Sequence, residues 1–211
     1  MMVIETERLL LREMTDDDFH ALYKVLADSD IMQHYPYAFD ENRVRNWIER
    51  NIERYRVFGF GLWAVCLKDT GEMIGDCGLT MQFINGEIKP EIGYHIRADK
   101  QRQGYAKEAA IAVRDWTFNN TPFNIVYSFM KSPNDPSAKT AMSYGCKQVD
   151  EFEFWCLDDC PEDDKYWADW KASQPMLVLN PEKTFDGKLK YPLNFKIATS
   201  ATKTNSATCI S

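Results

Sequence analysis

An alternating stretch, IKPEIGYHIR (88–97), runs within a few residues into QRQGYAKEA (101–109), and Gly104 stands where an amphipathic helix should begin. No other feature limits the fold as much. Glycine inside a helix costs about 0.5–1 kcal/mol relative to alanine. Ala106, Ala109 and Ala110 favour helix, so the glycine belongs at its boundary. There the first four backbone N–H groups lack internal partners and the helix dipole favours negative charge. A bare backbone at such a place suits an anion.

The surrounding pattern is a mixed α/β one of the α+β type. Residues Val3 to Glu13 alternate loosely as a strand, and Thr15-Asp16-Asp17-Asp18 opens a helix carrying Phe19, Leu22, Tyr23 and Leu26. A second helix is predicted from Glu41 to Tyr55, with Val44, Trp47, Ile48 and Ile52 on one face. GLWAVCLK and EMIGDCGLT, joined through Asp69-Thr70-Gly71, read as an antiparallel hairpin, and Asn85-Gly86 signals another. In the strand that follows, Ile92, Tyr94 and Ile96 share one face and Glu91, Gly93 and His95 the other.

The helix after Gly104 should run to about Phe118, followed by the strand NIVYSFMK; a strand–helix–strand crossover places its strands parallel. Asn134-Asp135-Pro136-Ser137 starts a helix that stops at Gly145. KQVDEFEFW and PMLVLN read as the last strands, giving about seven strands and four helices. Residues 1–182 form one domain on this reading, and 183–211 a polar tail.

The formal net charge of −7 argues against a general nucleic-acid binder, which needs a basic face. No run approaches the ~18 apolar residues of a membrane span, and the N-terminal MMVIETERLLLREM lacks a signal-peptide core. The six cysteines show no repeated short pair, which fits reduced thiols in a cytoplasmic protein. Cys156 and Cys160 lack nearby ligands for zinc, so no metal is expected.

EIGYHIRADKQRQGYAKEA, followed downstream by NDPSAKTAMSYGC, resembles the acetyl-CoA signature of the GNAT superfamily of N-acyltransferases. Gln101, Gly104 and Ala106 occupy the defining places of its Gln/Arg-x-x-Gly-x-Gly/Ala motif. TERLLLREMTDDD, the Glu91-Ile92-Gly93-Tyr94 strand and Lys107-Glu108-Ala109 resemble its RimJ/RimL branch, over roughly residues 4 to 180. The resemblance implies a mixed, mostly antiparallel twisted sheet flanked by helices, with acetyl-CoA as co-substrate. Its diphosphate would lie against the turn of Gln101, Arg102, Gln103, Gly104, Tyr105, Ala106 and Lys107. Backbone groups near Tyr94 and Ile96 would hold pantetheine, the amide near Ile96 serving as an oxyanion donor where the strand splays from its neighbour. Asn134 and Ser137 match the second family motif and would contact the cofactor arm; the plain reading of both is an ordinary helix cap, and for Asn134 the two roles can hold together.

Glu91 is the candidate base, against the plain reading of an exposed strand residue. The family's usual tyrosine acid, seven residues after the asparagine, falls on Ala141. Tyr144 lies three residues on, about 300° round the helix axis, and is an acid candidate beside the reading of a packing tyrosine. A lysine amine is only about 0.04% neutral at pH 7, whereas an α-amine is about 10–20% neutral. A site with little acid–base equipment therefore suits a peptide or protein N-terminus. The alternatives are a small-molecule acceptor such as a polyamine or aminoglycoside, and a coenzyme A sensor without turnover. The acidic, aromatic segment 148–170 is a candidate amine pocket or a solvated loop. A homodimer is compatible with all of these.

Overall fold

In the computed structural model, which describes residues 3–35, 37–84, 87–131, 133–157 and 189–199, eight strands form a single sheet. They are β1 (Val3–Glu5), β2 (Leu9–Arg12), β3 (Leu62–Leu67), β4 (Met73–Ile84), β5 (Glu87–Ile96), β6 (Tyr127–Lys131), β7 (Lys147–Leu157) and β8 (Leu189–Thr199). Their order across the sheet is β1-β2-β3-β4-β5-β6-β8-β7. Every neighbouring pair is antiparallel except β5 and β6. The helices are α1 (Phe19–Leu26), α2 (Glu41–Phe58), α3 (Tyr105–Asn120) and α4 (Asp135–Ser143).

Helices cover both faces, and β3 shows why. All its residues are buried, because successive side chains point to opposite sides and each side meets a helix layer. Leu62, Ala64 and Cys66 join Phe19, Leu22 and Leu26 of α1 and Val44, Trp47 and Ile48 of α2. Trp63, Val65 and Leu67 join the opposite layer, with Ala109, Ala110 and Val113 of α3 and Ala138 and Ala141 of α4. Small residues on α3 and α4 let those helices lie close to the strands. The mostly antiparallel sheet with four helices is the architecture expected from the sequence.

Three elements differ from expectation. Val3 to Glu13 is two antiparallel strands, because Thr6 turns the chain: its amide donates to Leu9 O (2.9 Å), and the Leu9 amide donates to Thr6 Oγ1 (2.8 Å). The second helix continues past Tyr55 to Phe58 and stops at Gly59, which takes φ +75°, a left-handed value that glycine adopts without strain. Strand β8 falls inside 183–211, the stretch whose composition suggested a tail, and pairs with both β6 and β7. The strand expected at PMLVLN and the hairpin turn expected at Asn85-Gly86 lie outside the described residues.

Gly78 and Gly93 face each other across β4 and β5 but tolerate a side chain differently. A Cβ on Gly78 would sit 2.0 Å from Gly61 O, whereas one on Gly93 would meet nothing nearer than Leu62 Cδ2 at 3.6 Å. Gly78→Ala should destabilise the protein by about 1–3 kcal/mol through overpacking against backbone. Gly93→Ala should stay within about 1 kcal/mol. Chemical denaturation of the two variants beside the wild type measures the difference.

Candidate active site

Between β5 and α3 the chain makes a tight turn. Arg97 braces its start, donating from Nε to Asp99 (2.6 Å) and from Nη2 to Glu72 (2.6 Å). Gln101 Nε2 donates back to Ile96 O (2.9 Å), and Gln103 Nε2 donates to Asp99 O (2.9 Å). Arg102 at φ +57° and Gly104 at φ +86° both take left-handed conformations, the first an uncommon one for a residue with a Cβ. Helix α3 starts at Tyr105 with no side chain capping it, its first α-helical bond running from Glu108 N to Gly104 O (3.0 Å). The amides before Glu108 are thus presented outward from an exposed turn at the positive end of a helix dipole.

From the other side the turn is held by the Thr6-Glu7-Arg8 corner. Glu108 accepts from Thr6 Oγ1 (2.6 Å), Arg8 N (2.9 Å) and Arg8 Nε (2.7 Å). Arg8 Nη1 also donates to Gln103 O (3.0 Å), and its guanidinium lies 4.4 Å from the centre of the Tyr105 ring. Burial alone would raise the Glu108 carboxyl, but these donors outweigh it and hold it below its ordinary value.

Next to this turn the sheet opens. Strands β5 and β6 share one registered pair, Glu91 with Tyr127. The amide of Arg97 donates to Ile74 O (2.9 Å) on the β4 side, so by alternation Tyr94 and Ile96 turn their backbone groups away from β4, toward the opening. The Ile96 carbonyl is taken by Gln101, and the Ile92 carbonyl accepts from Ser128 Oγ (2.7 Å). Tyr94 Oη donates to Ser137 O (2.9 Å), tying β5 to the start of α4, where Asn134 Oδ1 caps the Ser137 amide (3.2 Å).

On the other face of β5, His95 belongs to a chain of polar side chains. Its Nδ1 lies 2.7 Å from Asp76 Oδ1, and its Nε2 lies 2.7 Å from Tyr35 Oη. Trp47 Nε1 donates to Asp76 Oδ2 (2.9 Å). A carboxylate only accepts, so Nδ1 carries the proton and Nε2 of the neutral ring accepts from the Tyr35 hydroxyl. Asp76 is fully buried. Burial opposes a charged His95 ring, yet the Asp76 carboxylate outweighs it and raises the histidine above its ordinary pKa. Further along the same face, Glu91 accepts from Gln82 Nε2 (2.6 Å) and Thr80 Oγ1 (3.1 Å), and burial pushes its carboxyl up against these bonds.

A family model described as an acetyltransferase (GNAT) domain matches residues 8–147. The chain belongs to the GNAT family. It is therefore an acyltransferase, taking its acyl group from an acyl-CoA and delivering it to an amine. It is 32% identical over 151 residues to Bacillus subtilis YkkB, an uncharacterized protein, covering 71% of this chain and 88% of that one. Its fold is similar to that of a GNAT acetyltransferase from Bacillus anthracis, with TM-score 0.66, 21% identity and coverage of 94% of this chain and 97% of the other. It also matches the fold of RimL, a ribosomal alpha-N-protein acetyltransferase, in complex with coenzyme A, with TM-score 0.64, 15% identity and coverage of 95% and 98%.

The structure ties Tyr94 to Ser137, and Ser137 to Asn134, and it ties Ile96 to Gln101 at the head of the Gln101–Lys107 turn. Tyr144 is 1% exposed, with its hydroxyl 2.7 Å from Ser128 Oγ and burial raising its pKa, which is the setting of a packing tyrosine. Of segment 148–170, the start lies in the backbone of β7, and 158–170 fall outside the described residues. Tyr35, Asp76 and Trp47 were missed. The available signal was Asp76 itself, an acid within the apolar strand MIGDCGLT, which must find partners if buried. Among the described residues no His, Cys, Asp and Glu side chains group to hold a metal, and no helix is long and apolar enough to cross a membrane.

The Glu108 cluster has a pH signature. A carboxylate held below its unfolded pKa contributes stability that is present above the unfolded value and lost as pH falls through the folded one. The stability gap between wild type and Glu108→Gln should be constant above about pH 5 and shrink below about pH 4.5. Denaturant titrations at a series of pH values measure it.

Proposed function

We propose that this GNAT enzyme transfers an acetyl group from acetyl-CoA to a primary amine, with an α-amine at a peptide or protein N-terminus favoured. The observation that carries this reading is the open edge of β5 running straight into the uncapped start of α3. Such an edge offers strand-like hydrogen bonds to the amides of pantetheine, and it ends at an array of N–H groups suited to a diphosphate. Tyr94 and Ile96 serve the first, and Gln101 to Lys107 the second. Gly104 keeps a side chain out of the path, Arg102 and Lys107 add positive charge, and Asn134 and Ser137 border the cofactor arm.

The amine approaches from the Glu91 and His95 side and attacks the thioester carbonyl directly. The Ile96 amide stabilises the oxyanion as it forms. Glu91, already accepting from Gln82 and Thr80, offers the incoming amine a hydrogen-bond acceptor on that side of the strand. Orienting two bound reactants provides much of the acceleration. Because an α-amine is already partly neutral near pH 7 and a lysine amine is not, the first requires less of the site.

Calorimetry with acetyl-CoA and a thiol-release assay with peptide and polyamine acceptors test this. Gly104→Glu puts a carboxylate at the anion position and should weaken acetyl-CoA binding about tenfold or more. Thiol release should be faster with α-amine peptides than with polyamines. Faster release with polyamines would replace the acceptor assignment, and tight binding with no release on any amine would leave a coenzyme A sensor.

A further inference from the structure

The chain Trp47–Asp76–His95–Tyr35 is unusual for a core. A buried carboxylate is costly unless paired and hydrogen-bonded, and both oxygens of Asp76 are committed, one to the Trp47 indole and one to His95. His95 is held as well by rings, with Trp47 edge-on at 5.8 Å and Tyr35 at 5.4 Å between centroids. The far end of the chain is the half-buried Tyr35, in the segment between α1 and α2. Next to His95 in β5 is Ile96, whose amide faces the opening between β5 and β6. A hydroxyl on a histidine whose other nitrogen is fixed by a buried aspartate is an arrangement that takes up protons.

We propose that the Tyr35 hydroxyl accepts the proton released by the attacking amine, with His95 and Asp76 as its positioning residues. This rests on the acetyl-transfer reading above. As the amine nitrogen bonds to the thioester carbonyl carbon, one of its protons passes to Tyr35 Oη while the Tyr35 proton passes to His95 Nε2. The imidazolium so formed is stabilised by Asp76. Collapse of the intermediate breaks the C–S bond, the departing thiolate takes up a proton from solvent, and His95 releases its proton to solvent. Tyr35 ends unchanged, so one amide and one free thiol result from one amine and one thioester.

The relay works only while His95 is neutral. The charged and titratable groups around it are Asp76 on β4, Glu91 on β5, Tyr35 in the α1–α2 segment and Arg54 on α2, whose own charge interacts with both Asp76 and Glu91. Asp76 raises the histidine, so kcat should climb through an acid limb above the ordinary histidine range. Asp76→Asn removes that charge and, by donating to Nδ1, favours the wrong tautomer.

The test is steady-state kinetics of wild type, Tyr35→Phe and Asp76→Asn from about pH 5.5 to 9, with acetyl-CoA binding measured on each by calorimetry. Tyr35→Phe should lower kcat about 10²–10³-fold while leaving acetyl-CoA affinity and the amine KM within about threefold. Asp76→Asn should lower the plateau and move the remaining acid limb to lower pH. A Tyr35→Phe enzyme within about threefold of wild-type kcat at every pH, or one changed in KM alone, would overturn the proposal. Tyr35→Phe removes a single oxygen from a half-buried ring, so it decides the matter even if Asp76→Asn does not fold. Intact acetyl-CoA binding and turnover in the wild type separate failure of this proposal from failure of the acetyl-transfer reading, which would take both down together.

Discussion

Parallel strands normally share an even ladder of hydrogen bonds, and β5 and β6 share one registered pair. The backbone groups left over on β5 must then find other partners, because buried unpaired amides and carbonyls are costly. Some do. The Ile92 carbonyl takes the Ser128 hydroxyl and the Ile96 carbonyl takes the Gln101 amide group. What remains is a stretch of strand edge flanked on one side by β4 and open on the other. The turn of α3 follows at once, with its own outward-facing amides, so two sets of unspent donors lie end to end along one rim. The fold makes this possible by covering both faces of the sheet, which leaves the gap between two strands as the way in.

The period of a strand also divides the labour within β5. Ile92, Tyr94 and Ile96 turn their side chains toward α3 and α4, where they anchor the helices, and their backbone groups toward the gap. Glu91 and His95 turn theirs toward the α1 and α2 layer, among Thr80, Gln82, Asp76 and Trp47. A donor molecule on the gap side and an acceptor on the side-chain side would meet at the strand between them. Glu108 plays the complementary part at a distance, locking the β1–β2 corner to the first turn of α3 through Thr6 and Arg8. The TERL sequence is thus a brace for the turn, and its distance along the chain from that turn hides this role.

The local signals were legible. Gly104 at a helix boundary, the Asp69-Thr70-Gly71 turn, the asparagine cap of α4 and the alternation of β5 each follow from the chemistry of a few adjacent residues, and each is found in the structure. Pairings between distant segments were not. The chain from Tyr35 to Asp76 to His95 joins a loop and two strands, and its members read singly as a loop tyrosine, a stray acid and a strand histidine. The Thr6 corner was hidden because a short turn between short strands leaves the alternation nearly unbroken. In β8, LKYPLNFKIAT alternates apolar and polar residues at period two. The lysines, threonines and serines around it dominated the composition, and composition is blind to period.

Strand β8 stands between β6 and β7 although it is the last of the described strands in the chain. Among the described residues β7 has no strand neighbour other than β8. During synthesis the chain therefore emerges with β1 to β6 able to pair in turn, while β7 is complete but has no slot to occupy. That slot closes only when residues 189–199 have been made and paired on both edges. Contacts so far apart in sequence form late and slowly. For that interval both β6 and β7 expose an unpaired edge, and exposed edges pair with whatever strand is near.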